Sequence, residues 1–92
     1  MSRNKAEQPK RLAEKLKQIR LDLRLTQEDM FKALEREIKP EAKLHFGYIT
    51  RYESGSRVPS LLVLLAYARV ANTSLESLVD DDLSIFLHGN LS

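Results

Sequence analysis

The chain contains no cysteine, which excludes a disulfide scaffold, a thiolate metal site and a thiol nucleophile. No apolar run approaches the length of a membrane span. The basic N-terminus lacks the apolar stretch of a secretory signal, so a cytoplasmic location is expected. No segment repeats, none is of low complexity, and none reads as a convincing strand. Histidine occurs only as His45 and His88, and isolated histidines without spaced carboxylates do not make a metal site. No nucleophile–base pair is visible, so neither catalysis nor a cofactor is expected.

What is present is 92 residues, 42% apolar and 30% charged. That composition is globular and suffices for one small domain, without room for a large catalytic cleft. The net charge of +2 hides a gradient. Residues 1–25 carry eight Lys/Arg against three acids, or +5, whereas residues 73–92 carry four acids and no base, or −4. Such a molecule either offers one face to a polyanion or simply has an unevenly charged, solvated surface.

Residues 1–8 are polar and aperiodic and read as a basic arm ending at Pro9. Leu12, Leu16, Ile19 and Leu23 then form one apolar stripe on a helix, with Lys15, Lys17 and Asp22 pointing elsewhere. Thr26 is an N-cap, with Asp29 as the acidic partner of a capping box. A second helix turns Met30, Phe31, Leu34 and Ile38 inward. Pro40 interrupts the charged stretch Glu35 to Lys43, which reads as an exposed loop. A third helix spans His45 to Glu53 and stops at Ser54 and Gly55, the glycine serving as a left-handed cap. Ser60 caps a fourth helix, Leu61 to Ala71, with Leu61, Leu64, Leu65 and Ala68 expected inward. Ser74 caps a short fifth helix, closed by Asp80, Asp81 and Asp82 in a solvated turn. Residues 9–82 thus form an all-α, five-helix domain, followed by an apolar tail over 83–92.

Three pieces stand in order: Arg20-Leu-Asp-Leu-Arg-Leu-Thr-Gln27, Ile49-Thr-Arg-Tyr-Glu-Ser-Gly55 and Arg57-Val-Pro-Ser-Leu61. Together, over about residues 10–80, they resemble the phage-repressor/Cro-like (XRE) helix-turn-helix family of DNA-binding regulators. The resemblance implies a lambda-repressor-like fold whose second and third helices are the helix-turn-helix, with the third entering the major groove of double-stranded DNA. It places Phe46, Gly47, Thr50 and Arg51 where the family reads bases. Arg51 suits guanine. Phe46 either touches a thymine methyl or plugs the core. Gln27 takes the place of a phosphate-contacting glutamine, or is a surface residue beside a cap. Tyr48, Ser54, Ser56 and Arg57 are further backbone candidates. Arg20 and Glu53 would form a structural ion pair rather than do chemistry.

Three departures from the family pattern stand out. The connection between the second and third helices is longer, which makes Lys39 and Lys43 added phosphate candidates. Phe31 replaces a small residue and would push the third helix outward. Arg24 stands where glycine is frequent.

The fourth helix is apolar most of the way round. Leu62, Val63 and Ala66, with Leu83, Ile85, Phe86 and Leu87, are therefore expected in a homodimer interface, unless the tail folds back over the first helix. The function expected from the resemblance is a sequence-specific repressor of bacterial or phage origin, reading a pseudo-palindromic operator. The alternative is a DNA-binding antitoxin or protein-docking module, whose apolar helix and tail bind a toxin or another regulator.

Overall fold

The computed structural model describes residues 10–38 and 41–81. These residues form five helices and no strand: α1 (Leu12–Asp22), α2 (Gln27–Glu37), α3 (Phe46–Ser54), α4 (Leu61–Ala71) and α5 (Leu75–Val79). The all-α architecture is the one expected. The arm over 1–8, Lys39 and the tail bearing Leu83, Ile85, Phe86 and Leu87 lie outside the described residues.

Local chemistry accounts for most of the helix ends. At α2 the Asp29 N–H donates to Thr26 Oγ1 at 3.0 Å and the Thr26 N–H donates to Asp29 Oδ2 at 3.4 Å, a reciprocal capping box. Ser60 accepts from the Val63 N–H and Ser74 from the Ser77 N–H, capping α4 and α5. Gly55 closes α3 at φ +84°, where a side chain would be strained. Arg24 takes the left-handed conformation itself, at φ 61°. That turn ends α1 at Asp22 and sends the chain into α2, at a conformational cost glycine would not bear.

The core lies where the helices converge. Leu12, Leu16 and Ile19 from α1 meet Met30 and Leu34 from α2, Ile49 and Tyr52 from α3, and Leu78 from α5. Helix α4 packs against α2 and α5, and its Tyr67 ring meets the Tyr52 ring of α3 edge-on at 6.4 Å. Covered on several sides, α4 buries Val63, Leu64, Ala66, Tyr67, Ala68 and Ala71. This corrects the expected register. Leu61 is 65% exposed, and Val63 and Ala66, expected at a dimer interface, are each 1% exposed within the chain's own core. Neither is available to a partner, whereas Leu62 is half-buried.

Two polar residues expected in solvent are structural. Lys15 is only 2% exposed. Its Nζ donates to the Ser77 carbonyl at 2.7 Å and the Asp80 carbonyl at 2.6 Å, so an ammonium satisfies carbonyls at the C-terminal end of α5. Asp81, expected in a solvated turn, instead caps α1 from the far end of the domain. It accepts from the Lys10 N–H at 2.9 Å and the Arg11 N–H at 3.0 Å. Arg11 returns a bond from Nη1 to the Asp81 carbonyl at 2.9 Å.

The two backbone N–H groups favour the ionised Asp81 carboxyl and hold it below the usual carboxylate range. A depressed folded value means that the stabilisation is fully present above the unfolded pKa of about 4 and is lost as the pH falls through the folded value. Asp81→Ala is therefore expected to lower the melting temperature near neutrality, with the gap to the parent closing as acid protonates the carboxyl. Equal gaps at neutral and acid pH would show that the carboxylate is not the cap.

Candidate nucleic-acid interface

Helix α3 has two unlike faces. Ile49 and Tyr52 are buried, while Gly47, Thr50 and Arg51 are exposed and Phe46 is 49% exposed. The front end of the helix is therefore open. At Gly47 an added Cβ would meet nothing within 4 Å, so the chain's own packing does not demand glycine there.

The back of α3 is locked to α1. Arg20 Nε donates to Glu53 Oε2 at 2.6 Å and Nη2 donates to Oε1 at 3.0 Å, a two-pronged pair. Arg20 Nη1 also donates to the Leu25 carbonyl at 3.0 Å, which ties the turn before α2 into the same cluster. The side chains are 13% and 5% exposed. Hydrogen bonding to Glu53 strengthens the guanidinium's hold on its proton. Burial pushes the Tyr67 phenol well above its ordinary value, and its hydroxyl has no hydrogen-bond partner among the described residues.

Gln27 joins α2 to this pair and to the exposed face of α3. Its Nε2 donates to Glu53 Oε1 at 3.3 Å, and its Oε1 accepts from Thr50 Oγ1 at 2.9 Å. The capping box occupies the Asp29 N–H, and Met30 donates to the Thr26 carbonyl. The Gln27 and Glu28 N–H groups are left at the positive end of α2.

Beyond α3 the chain turns back on itself. Arg57 N–H donates to the Arg51 carbonyl at 3.2 Å. Ser54 Oγ lies 3.2 Å from that carbonyl and 3.1 Å from Ser56 Oγ. The Arg57 guanidinium then sits 3.7 Å above the Tyr48 ring, a cation–π contact. The His45 ring meets Tyr48 edge-on at 4.9 Å. Tyr48, Arg57, Ser54 and Ser56 are thus brought into one patch beside the exposed face of α3.

A family model described as Helix-turn-helix matches residues 16–78, a span from the middle of α1 into α5. The chain belongs to the phage-repressor/Cro-like (XRE) helix-turn-helix family. It is a protein of the DNA-binding transcription-regulator type. No curated protein and no solved structure gives a match.

In this XRE domain the unusual Phe31 is accommodated at the rim of the α2–α3 contact. Its ring meets Phe46 edge-on at 5.8 Å, and the two line a surface depression with Glu28, Lys32 and Glu35. Phe46 therefore neither plugs the core nor stands alone, because it is 49% exposed and meets the Phe31 ring edge-on. Lys43 is exposed in the connection to α3. Among the described residues no group of three or more His, Cys, Asp or Glu is placed to hold a metal ion, and no helix is long and apolar enough to cross a membrane.

In the sequence Gln27 and Thr50 stand apart as separate contacts. Their mutual bond spans 23 positions, and no local signal announces it. The stacking of Arg57 on Tyr48 is equally hidden, because the two residues meet only across the turn that follows α3.

Proposed function

We propose that this protein is a sequence-specific repressor that lays α3 in the major groove of duplex DNA. The observation that carries this reading is the exposed row Gly47, Thr50 and Arg51 on a helix whose adjoining, buried flank is clamped by the Arg20–Glu53 pair. A readout helix needs both properties: side chains free to meet base edges, and a backbone held firmly enough that they arrive together.

Arg51 is the main reader, since a guanidinium matches guanine O6 and N7 with two parallel bonds. Thr50 reads the neighbouring base, Phe46 meets a thymine methyl, and Gly47 lets the backbone approach closely. Gln27, with the free N–H groups at the start of α2, contacts phosphate. Tyr48 with Arg57, Ser54, Ser56, Lys39 and Lys43 extends the backbone contact and sets the register.

The protein acts as a two-fold homodimer on a pseudo-palindromic operator, with half-sites about 34–36 Å apart. Exposed Val58 and Leu61 at the start of α4, beside half-buried Leu62, support an apolar contact there. The tail residues Leu83, Ile85, Phe86 and Leu87 extend it. Its partner, duplex DNA, puts its work in the cytoplasm of a bacterial cell, from a host or phage gene.

Selection of bound sequences from a random duplex pool at fixed salt tests this directly. The expected product is a family of sequences with two inverted half-sites. Recovery of a pool no different from the starting one would refute sequence-specific binding.

A further inference from the structure

We propose that Gln27 sets the hydrogen-bond polarity of Thr50, so that Thr50 meets DNA as an acceptor and selects a base offering an exocyclic amino group. The proposal rests on the major-groove reading above and names the base chemistry at one position of it.

The polarity originates at Glu53. Both carboxylate oxygens are engaged by Arg20, and an ionised carboxylate only accepts. The Gln27 amide beside it must therefore present nitrogen, as found at 3.3 Å from Oε1. The reverse orientation would set two oxygens against each other. With nitrogen turned to Glu53, the amide oxygen faces Thr50, 2.9 Å from Oγ1. Two oxygens at that distance need a proton between them, and the hydroxyl has the only one. The Thr50 proton is thus committed to Gln27 on α2, which leaves the hydroxyl's lone pairs for a partner outside the chain.

In the major groove, donors are the N6 amino group of adenine and the N4 amino group of cytosine, while guanine N7 and O6 and thymine O4 accept. An acceptor-only hydroxyl matches the first pair. To donate to guanine or thymine, Thr50 would have to leave Gln27 Oε1 bare in an interface closed to bulk water. The loss is one hydrogen bond, which corresponds to a preference of about fivefold. Gln27 is a positioning residue in this scheme, and Thr50 is the residue that touches the base.

The experiment is the random-pool selection, run on the full chain as parent, Thr50→Val, Thr50→Ser and Gln27→Ala. The position facing Thr50 is the one whose preference changes in Thr50→Val. In the parent it should hold adenine or cytosine on the contacted strand, favoured about fivefold. Thr50→Val should flatten that position alone, and Thr50→Ser should keep it. Gln27→Ala should admit guanine and thymine there, a change that a general loss of affinity or stability cannot mimic.

Guanine or thymine at that position in the parent overturns the proposal. So does an unchanged preference in Gln27→Ala, or a Thr50→Val selection identical to the parent's; in each case the rest of the operator still supports sequence-specific binding. If no form enriches any sequence, the major-groove reading itself fails and this inference falls with it.

Discussion

Glu53→Ala should remove about 3–5 kcal/mol of folding stability. A domain of this kind has a total of only about 5–15 kcal/mol, so the variant would sit close to unfolding. The size of the effect comes from what remains rather than from what is removed. Arg20 keeps its charge, with 13% of its side chain exposed, and loses both carboxylate oxygens. Gln27 loses its acceptor at the same time. The exposed pairs Arg11–Glu14 and Lys32–Glu28 are different, because water screens each partner and removing one costs well under about 1 kcal/mol.

Urea denaturation measures the difference. The control is the double variant Arg20→Met with Glu53→Leu, which removes both charges together and should recover much of the loss. A single Glu53→Ala variant as stable as the parent would mean that the pair does not brace α3. Severe loss in the double variant as well would assign the effect to packing instead.

Arg51→Ala should lower the affinity for the selected operator by about 1–3 kcal/mol while scarcely changing the affinity for unrelated duplexes. Specificity then collapses towards the non-specific level at one base position. Arg57→Ala should act otherwise, because its guanidinium lies on the Tyr48 ring, in the patch proposed to meet phosphate. It should weaken all sequences alike and reduce the slope of log affinity against log salt by about 1. Loss of the stack also frees Tyr48, so Arg57→Lys should restore the charge without fully restoring the affinity. The measurement is a salt titration on operator and scrambled duplexes. Equal losses on both duplexes for Arg51→Ala would exclude it from base readout.

The helices and their ends were legible because the forces that set them act over three or four residues. Thr26, Ser60 and Ser74 accept from N–H groups three positions on, and Gly55 takes a backbone conformation that side chains resist. The apolar stripe of α1 was legible for the same reason, since Leu12, Leu16 and Ile19 recur at helical spacing.

The register of α4 was not legible. Nearly every position in Leu61–Ala71 is apolar, so periodicity marks no inward side and does not reveal that Val63 and Ala66 lie in the core. Only the placement of α2, α3 and α5 around that helix chooses its exposed edge. The burial of Lys15 was not legible either, because nothing near it in sequence foretells the carbonyls at the end of α5 that receive its ammonium.

Short-range physics, written in caps, spacings and the Thr-Gln, Ile-to-Glu and Pro-Ser pieces, was enough to specify five helices and their family. Long-range contact assigned the partners: Asp81 to the head of α1, Arg57 to Tyr48, and Gln27 to both Glu53 and Thr50. A hydrogen bond requires atoms about 3 Å apart whatever their separation along the chain. Such pairs exist only after the core has closed and brought distant residues together.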